Sequence, residues 1–144
     1  MEQAIQIVKV QTAAALAQVH AIRRVVFVEE QCCPPELEWE HEEESVHFLA
    51  LYKGSPAGAA RWRATDKGYK LERFAVLREY RGWGIAGALV AAVLNDLPAS
   101  AGYIYLHAQQ QAVGLYERFG CKVEGDPFEE AGIVHYKMVK RSFG

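Results

Sequence analysis

The chain lacks four things: a disulfide framework, a basic surplus, a long apolar run and any internal repeat. Its three cysteines, Cys32, Cys33 and Cys121, form an odd set with a vicinal pair, unlike the even, spaced cysteines of a small secreted scaffold, and they read as reduced thiols. Adjacent cysteines also lack the C-x2-C spacing of a structural metal site, so no metal is expected from them with His41 and His47. Sixteen basic residues against eighteen acidic ones give a net charge of -2, which provides no global field for nucleic acid or an anionic membrane. A small-molecule partner is favoured. The N-terminal MEQAIQIVKV has no basic segment leading into an apolar core, and no apolar run reaches the ~20 residues that span a bilayer. A cytoplasmic location is expected.

What is present is ordinary globular material: 144 residues, 51% apolar and 24% charged, the size and composition of one domain covering 1–144. Ile5 to Val10 alternates like a half-buried strand, and Thr12 can cap a helix over Ala13 to Gln18. A second helical stretch, His20 to Gln31, ends before Pro34 and Pro35. The acidic run Glu36 to Glu44, ELEWEHEEE, reads as a solvated loop. Val46 to Tyr52, Ala57 to Ala64 and Tyr69 to Leu77 form a meander with turns at Gly54-Ser55-Pro56 and Asp66-Lys67-Gly68. A helix then follows and ends near Asn95 to Pro98. Tyr103 to Ala108 is a strand, Gln111 to Phe119 a helix stopped by Gly120, and Cys121 to Glu124 and His135 to Lys140 are the final strands.

Between the meander and its helix lies Gly82-Trp83-Gly84-Ile85-Ala86-Gly87, which matches the dinucleotide string G-x-G-x-x-G. A Rossmann unit would place it after the first strand and put a carboxylate at the end of the next one. Here it follows an antiparallel meander, and the next strand ends at Ala108 and Gln109. The local physics remains. Glycines admit close approach of backbone amides to an anion, and a helix N-terminus aims its unpaired N–H groups at the same point. A phosphate is the natural ligand, and three glycines with Arg78 and Arg81 exceed what a bare turn requires.

With Arg81, Gly84 and Ala86 after the strand LERFAVL, the sequence resembles the GNAT superfamily of N-acetyltransferases, whose signature is Q/R-x-x-G-x-G/A. The likeness spans nearly the whole chain. Arg24 to Gln31, as R-x-V-F-V-x-E-Q, and Gly132 to Met138, as G-I-x-H-x-x-M, resemble its small bacterial ElaA/YjcF-like branch. The resemblance implies an α/β fold with a mixed, mostly antiparallel sheet of six to seven strands, flanked by four helices and splayed at an acetyl-CoA site. It implies acetyl transfer from acetyl-CoA to the amine of a small molecule or peptide, with no metal and no covalent enzyme intermediate.

Carried onto this chain, the resemblance puts pantetheine along Phe74, Ala75, Val76 and Leu77, with the Val76 N–H facing the thioester carbonyl. It puts the pyrophosphate on the N–H groups of Arg81, Gly82, Trp83, Gly84, Ile85 and Ala86, with the Arg81 guanidinium near the phosphates. Tyr116 takes the place of the general acid. His135 corresponds to the general base of a glyphosate-acetylating relative, in which Arg73 would lie near the acceptor and pair with a carboxylate or phosphonate. His47 and His107 are weaker candidates, read as packed strand residues. The acidic run favours a cationic acceptor and Arg73 an anionic one. Two other classes remain: a non-catalytic acyl-CoA sensor, and a nucleotide-dependent oxidoreductase. Exposed strand edges make a homodimer conceivable.

Overall fold

In a computed structural model the structure describes residues 4–32 and 40–141, so Cys33, Pro34, Pro35 and the first half of the acidic run lie outside the described residues. Among the described residues, eight strands join in one sheet: β1 (Ile5–Lys9), β2 (Val46–Tyr52), β3 (Ser55–Ala64), β4 (Tyr69–Val76), β5 (Tyr103–Gln109), β6 (Lys122–Val123), β7 (Phe128–Glu130) and β8 (Ile133–Arg141). The spatial order is β1-β2-β3-β4-β5-β8-β6, with β7 also paired to β8. Only β4 and β5 run parallel, joined by a crossover that carries a helix over Ile85–Asp96. The extra strand, β7, has three residues, too few for periodicity to reveal; its pairing with Ile133–His135 of β8 makes it a strand.

Helix α1 (Ala13–Arg23) starts at Thr12, whose Oγ1 accepts the Ala15 N–H at 3.1 Å. The two helices expected over 13–18 and 20–31 are one continuous rod. Neither Val19 nor His20 can break a helix, so α1 passes directly into a π-helical segment, Arg24–Glu30, where the Gln31 N–H reaches the Val26 carbonyl at 3.2 Å. Val19, Ile22 and Val26 bury against Leu49, Ala59 and Ala75 on one face of the sheet. Helix α2 (Ile85–Asp96) buries Ile85, Leu89, Val90 and Val93 on the other face. Short α3 (Val113–Glu117), entered through a 3-10 turn at Gln110–Ala112, closes that side.

The first helix covers β2, β3 and β4, whereas β5 and β8 on the same face carry no helix. There the alternation of β5 and its register with β8 place Tyr103, Tyr105, His107 and Gln109 beside His135 and Lys137. One half of the sheet is therefore core and the other half is wall.

Candidate active site

The site begins with a defect in β4. Ala59 faces Ala75 and Arg61 faces Glu72, so Arg73 and Phe74 together oppose Ala60 alone. This is a β-bulge, and Arg73 takes a left-handed φ of 60° to make it. Pairing between β4 and β5 stops at Leu71 and Leu106 although both strands continue, and the gap between them opens into a cavity of about 440 Å³. The Leu77 N–H donates to the Ala57 carbonyl at 2.9 Å. By the two-residue alternation of an antiparallel ladder, Ala59–Ala75 is then a bonded pair and Val76 turns its N–H and C=O away from β3, to the opened edge.

The glycine turn lies at the end of this edge. Gly82 and Gly84 adopt φ of 84° and 88°, a region closed to most side chains, and Gly84 caps α2 without a side-chain acceptor. The first-turn N–H groups of α2 are thus presented with no intrahelical partner. Arg81 is directed elsewhere: its Nε donates to the Val76 carbonyl at 2.9 Å and its guanidinium forks onto Glu30 at 2.9 and 3.1 Å. It braces the turn against the π-helical segment. Trp83 is 51% exposed and packs on Tyr52, with ring centroids 4.7 Å apart.

Tyr116 and His135 both line the cavity, as does Arg73. The Tyr116 ring stands edge-on to Phe74, 5.6 Å between centroids, and burial pushes its phenol well above the ordinary range, with the neighbouring Cys121 adding to the shift. Its hydroxyl is therefore held in the protonated form, as a proton donor needs. His135 is buried and donates its Nδ1–H to the Ile133 carbonyl at 2.7 Å, because a carbonyl can only accept. Its basic atom is therefore Nε2.

Three features of the cavity and of the groups that support its wall were not read from the sequence. The first is Glu42. It belongs to the run expected to be a solvated loop, yet its side chain is only 19% exposed and sits 2.6 Å from Arg23, 2.7 Å from Arg61 and 2.7 Å from His20. Arg23 and Arg61 are fully buried, and a buried guanidinium requires a carboxylate, which the run supplies. Burial opposes ionisation of Glu42, but Arg23, His20 and His47 bring its carboxyl below the usual range. This anchor places Glu40 and His41 at the cavity wall.

The second is Glu72, which receives Arg61 at 2.8 Å, Arg63 at 3.1 Å and Lys70 at 3.4 Å. Burial would raise its carboxyl; Arg61, Lys70, Arg73 and Arg63 overcome that and bring it down to about 2. The third is Glu130 on β7, which accepts the His107 Nδ1–H at 2.9 Å; that bond lowers the Glu130 carboxyl against the cost of burial. A strand invisible to periodicity carries this residue. The π-helical segment contributes Phe27 and Gln31, the latter accepting from Gln109 at 3.0 Å. The motif Arg24 to Gln31 was the available signal for this wall.

Residues 10–142 match the acetyltransferase (GNAT) domain family. The chain is 38% identical over 123 residues to the uncharacterized N-acetyltransferase YjcF of Bacillus subtilis, covering 83% of this chain and 87% of that one. Its fold matches the crystal structure of Escherichia coli ElaA with a TM-score of 0.79 at 22% identity, over 95% of this chain and 99% of ElaA. It also matches a GNAT family acetyltransferase from Elizabethkingia anophelis with acetyl-CoA bound, with a TM-score of 0.69 at 17% identity and 96% of both chains covered. The last two are likenesses of fold. Among the described residues, no helix is long and apolar enough to cross a membrane. The chain is a member of the GNAT acetyltransferase family, in its ElaA/YjcF-like branch, a family of acyl transfer.

Proposed function

We propose that this chain transfers the acetyl group of acetyl-CoA directly to the nitrogen of an amine that also carries an anionic group. The observation that carries the reading is continuity. The opened edge of β4, with the Val76 N–H on it, joins the amide-presenting glycine turn at one end to a cavity holding Tyr116 and His135 at the other. The Elizabethkingia neighbour of the same fold has acetyl-CoA bound. Acetyl-CoA supplies the activated acyl group.

The residues here divide the work as follows. N–H groups from Arg81 to Ala86 hold the pyrophosphate, and Phe74 to Leu77 hold the pantetheine arm by backbone pairing. The Val76 N–H stabilises negative charge on the carbonyl oxygen. His135 Nε2 takes a proton from the bound ammonium, and the Tyr116 phenol gives one to the departing sulfur. Positioning of the two substrates provides much of the rest.

The charge of the acceptor follows from what the cavity leaves over. Glu42 is committed to Arg23 and Arg61, and Glu72 to Arg61, Arg63 and Lys70. Among the residues that line the cavity, four cations, Arg61, Arg63, Lys70 and Arg73, outnumber three carboxylates, Glu40, Glu72 and Glu130, by one, which favours an anionic group on the acceptor. The test is ligand-dependent melting followed by an amine screen scored by thiol release. CoA should raise the melting temperature while NAD leaves it unchanged, and amino acids or aminoalkylphosphonates should outpace polyamines. Stabilisation by CoA with no turnover of any amine would make the chain an acyl-CoA sensor instead.

A further inference from the structure

Acetylation of an ammonium removes two protons from one nitrogen. One leaves before the lone pair can attack the thioester carbon; the second leaves the nitrogen after the C–N bond has formed. When the C–S bond breaks, the sulfur takes one proton, and the other goes to solvent. The reading above, on which this inference rests, gives one imidazole for the two departures. Three line the cavity, His41, His107 and His135, and the last two share one face of the sheet.

His107 lines the same cavity on β5. Its Nδ1–H is committed to Glu130 at 2.9 Å, so Nε2 carries the lone pair, as in His135. The pairings Gln109–His135 and His107–Lys137 put the two histidines diagonally on one sheet face. Phe128 holds both: its ring is edge-on to His107 with centroids 5.0 Å apart and stacked on His135 at 6.0 Å. β7 thus supplies both the carboxylate that sets one imidazole and the ring that sets the pair. The two differ in access. His107 and Glu130 keep 26% and 44% of their side chains exposed, whereas His135 is 7% exposed.

We propose that His107, oriented by Glu130, is a second catalytic base of the transfer, taking the proton that leaves nitrogen after attack while His135 takes the first. Tyr116 gives its proton to sulfur and regains one from the His107 imidazolium through water. The His135 proton leaves to solvent, so two protons leave nitrogen, one ends on sulfur and one in bulk. The charged and titratable groups around His107 are Tyr105 on its own strand, Lys70 from β4, Glu130 from β7, His135 and Lys137 from β8, and Glu40 and His41 across the cavity.

The test uses the full chain, acetyl-CoA and the best amine from a panel of amino acids, polyamines, amino sugars and aminoalkylphosphonates. If both imidazoles must be neutral, log kcat rises with a slope of two on the acid side of its pH profile. His107→Asn should reduce that slope to one and lower kcat by roughly 100-fold, and Glu130→Gln should lower kcat by roughly tenfold with CoA binding intact. Melting curves and CoA binding at each pH show that the variants are folded, and Glu130→Gln keeps the shape if His107→Asn does not fold. An active wild type with a slope of one, or Glu130→Gln within twofold of wild type, overturns the second base. A wild type inactive with every amine sinks the transferase reading itself.

Discussion

The two halves of the site are built from different material. The half proposed for the donor, residues 74 to 86, is contiguous in sequence, and its chemistry is main-chain: a ladder edge, two left-handed glycines and the first turn of a helix. The half proposed for the acceptor gathers side chains from β3, β4, β5, β7 and β8, with Glu42 paired to Arg61 behind them, and its chemistry is carboxylate, guanidinium and imidazole. A site made of backbone should tolerate changes of side chain and fail on changes of φ. A site made of paired charges should fail when one partner is removed. Substitutions that respect or cross this division test it.

The largest effect belongs to Glu42. Glu42→Ala leaves Arg23 and Arg61, both fully buried, without a shared carboxylate and is expected to destabilise the chain by ~3–5 kcal/mol in urea unfolding. The stabilisation by CoA should survive in whatever fraction remains folded, since the Glu42 side chain is held by His20, Arg23, His47 and Arg61. Loss of CoA binding in a folded variant would join the two halves after all. Next comes Tyr116→Phe, which keeps the ring packed on Phe74 and deletes only the hydroxyl proposed as the proton donor. Thiol release should fall roughly 100-fold at unchanged CoA affinity. A drop of less than threefold would leave Tyr116 as a packing residue.

Gly84→Ala tests the donor half by its own rule. Nothing lies within 4 Å of the added Cβ, so the cost is conformational alone: an L-residue at a φ of 88° loses ~1 kcal/mol. Strain at the helix cap should weaken CoA about fivefold while the acid slope of kcat stays as in wild type. An unchanged affinity would mean that the turn's shape does not matter to the donor.

The same division explains what could be read in advance. The turn, the strands around it and α2 are local: glycines at fixed offsets, alternation, then an apolar helix, all within residues 69 to 96. Tyr116 and His135 were named through family motifs, and both line the cavity. Glu42, Arg61 and Glu130 were missed for one reason. Their environment is made by partners 11 to 23 residues away or more, so nothing beside them in the chain marks Glu42 as the anchored acid of ELEWEHEEE. The continuous first helix shows the opposite error: two segments were inferred where no residue could end the first.

The smallest expected effect is a change of stability with pH, and its sign follows from the acceptor half. The His47 Nε2–H donates to the Glu42 carbonyl at 3.1 Å, and its Nδ1 is buried with no hydrogen-bond partner among the described residues. Burial lowers its pKa below the ordinary 6.5, outweighing the carbonyl and carboxylate of Glu42, with Arg23 and Arg61 adding repulsion. The folded form therefore keeps His47 neutral where the unfolded chain takes up a proton, so stability is full above 6.5 and falls as the pH drops through that value. Glu42 and Glu72 add a second loss in the same direction, starting below their ordinary 4.5 and, for Glu72, extending to about 2. Melting temperature should decline in two stages, and His47→Asn should remove the upper one only. If the upper decline persists in that variant, the titrating group is elsewhere, and His47 is an ordinary packed residue of β2.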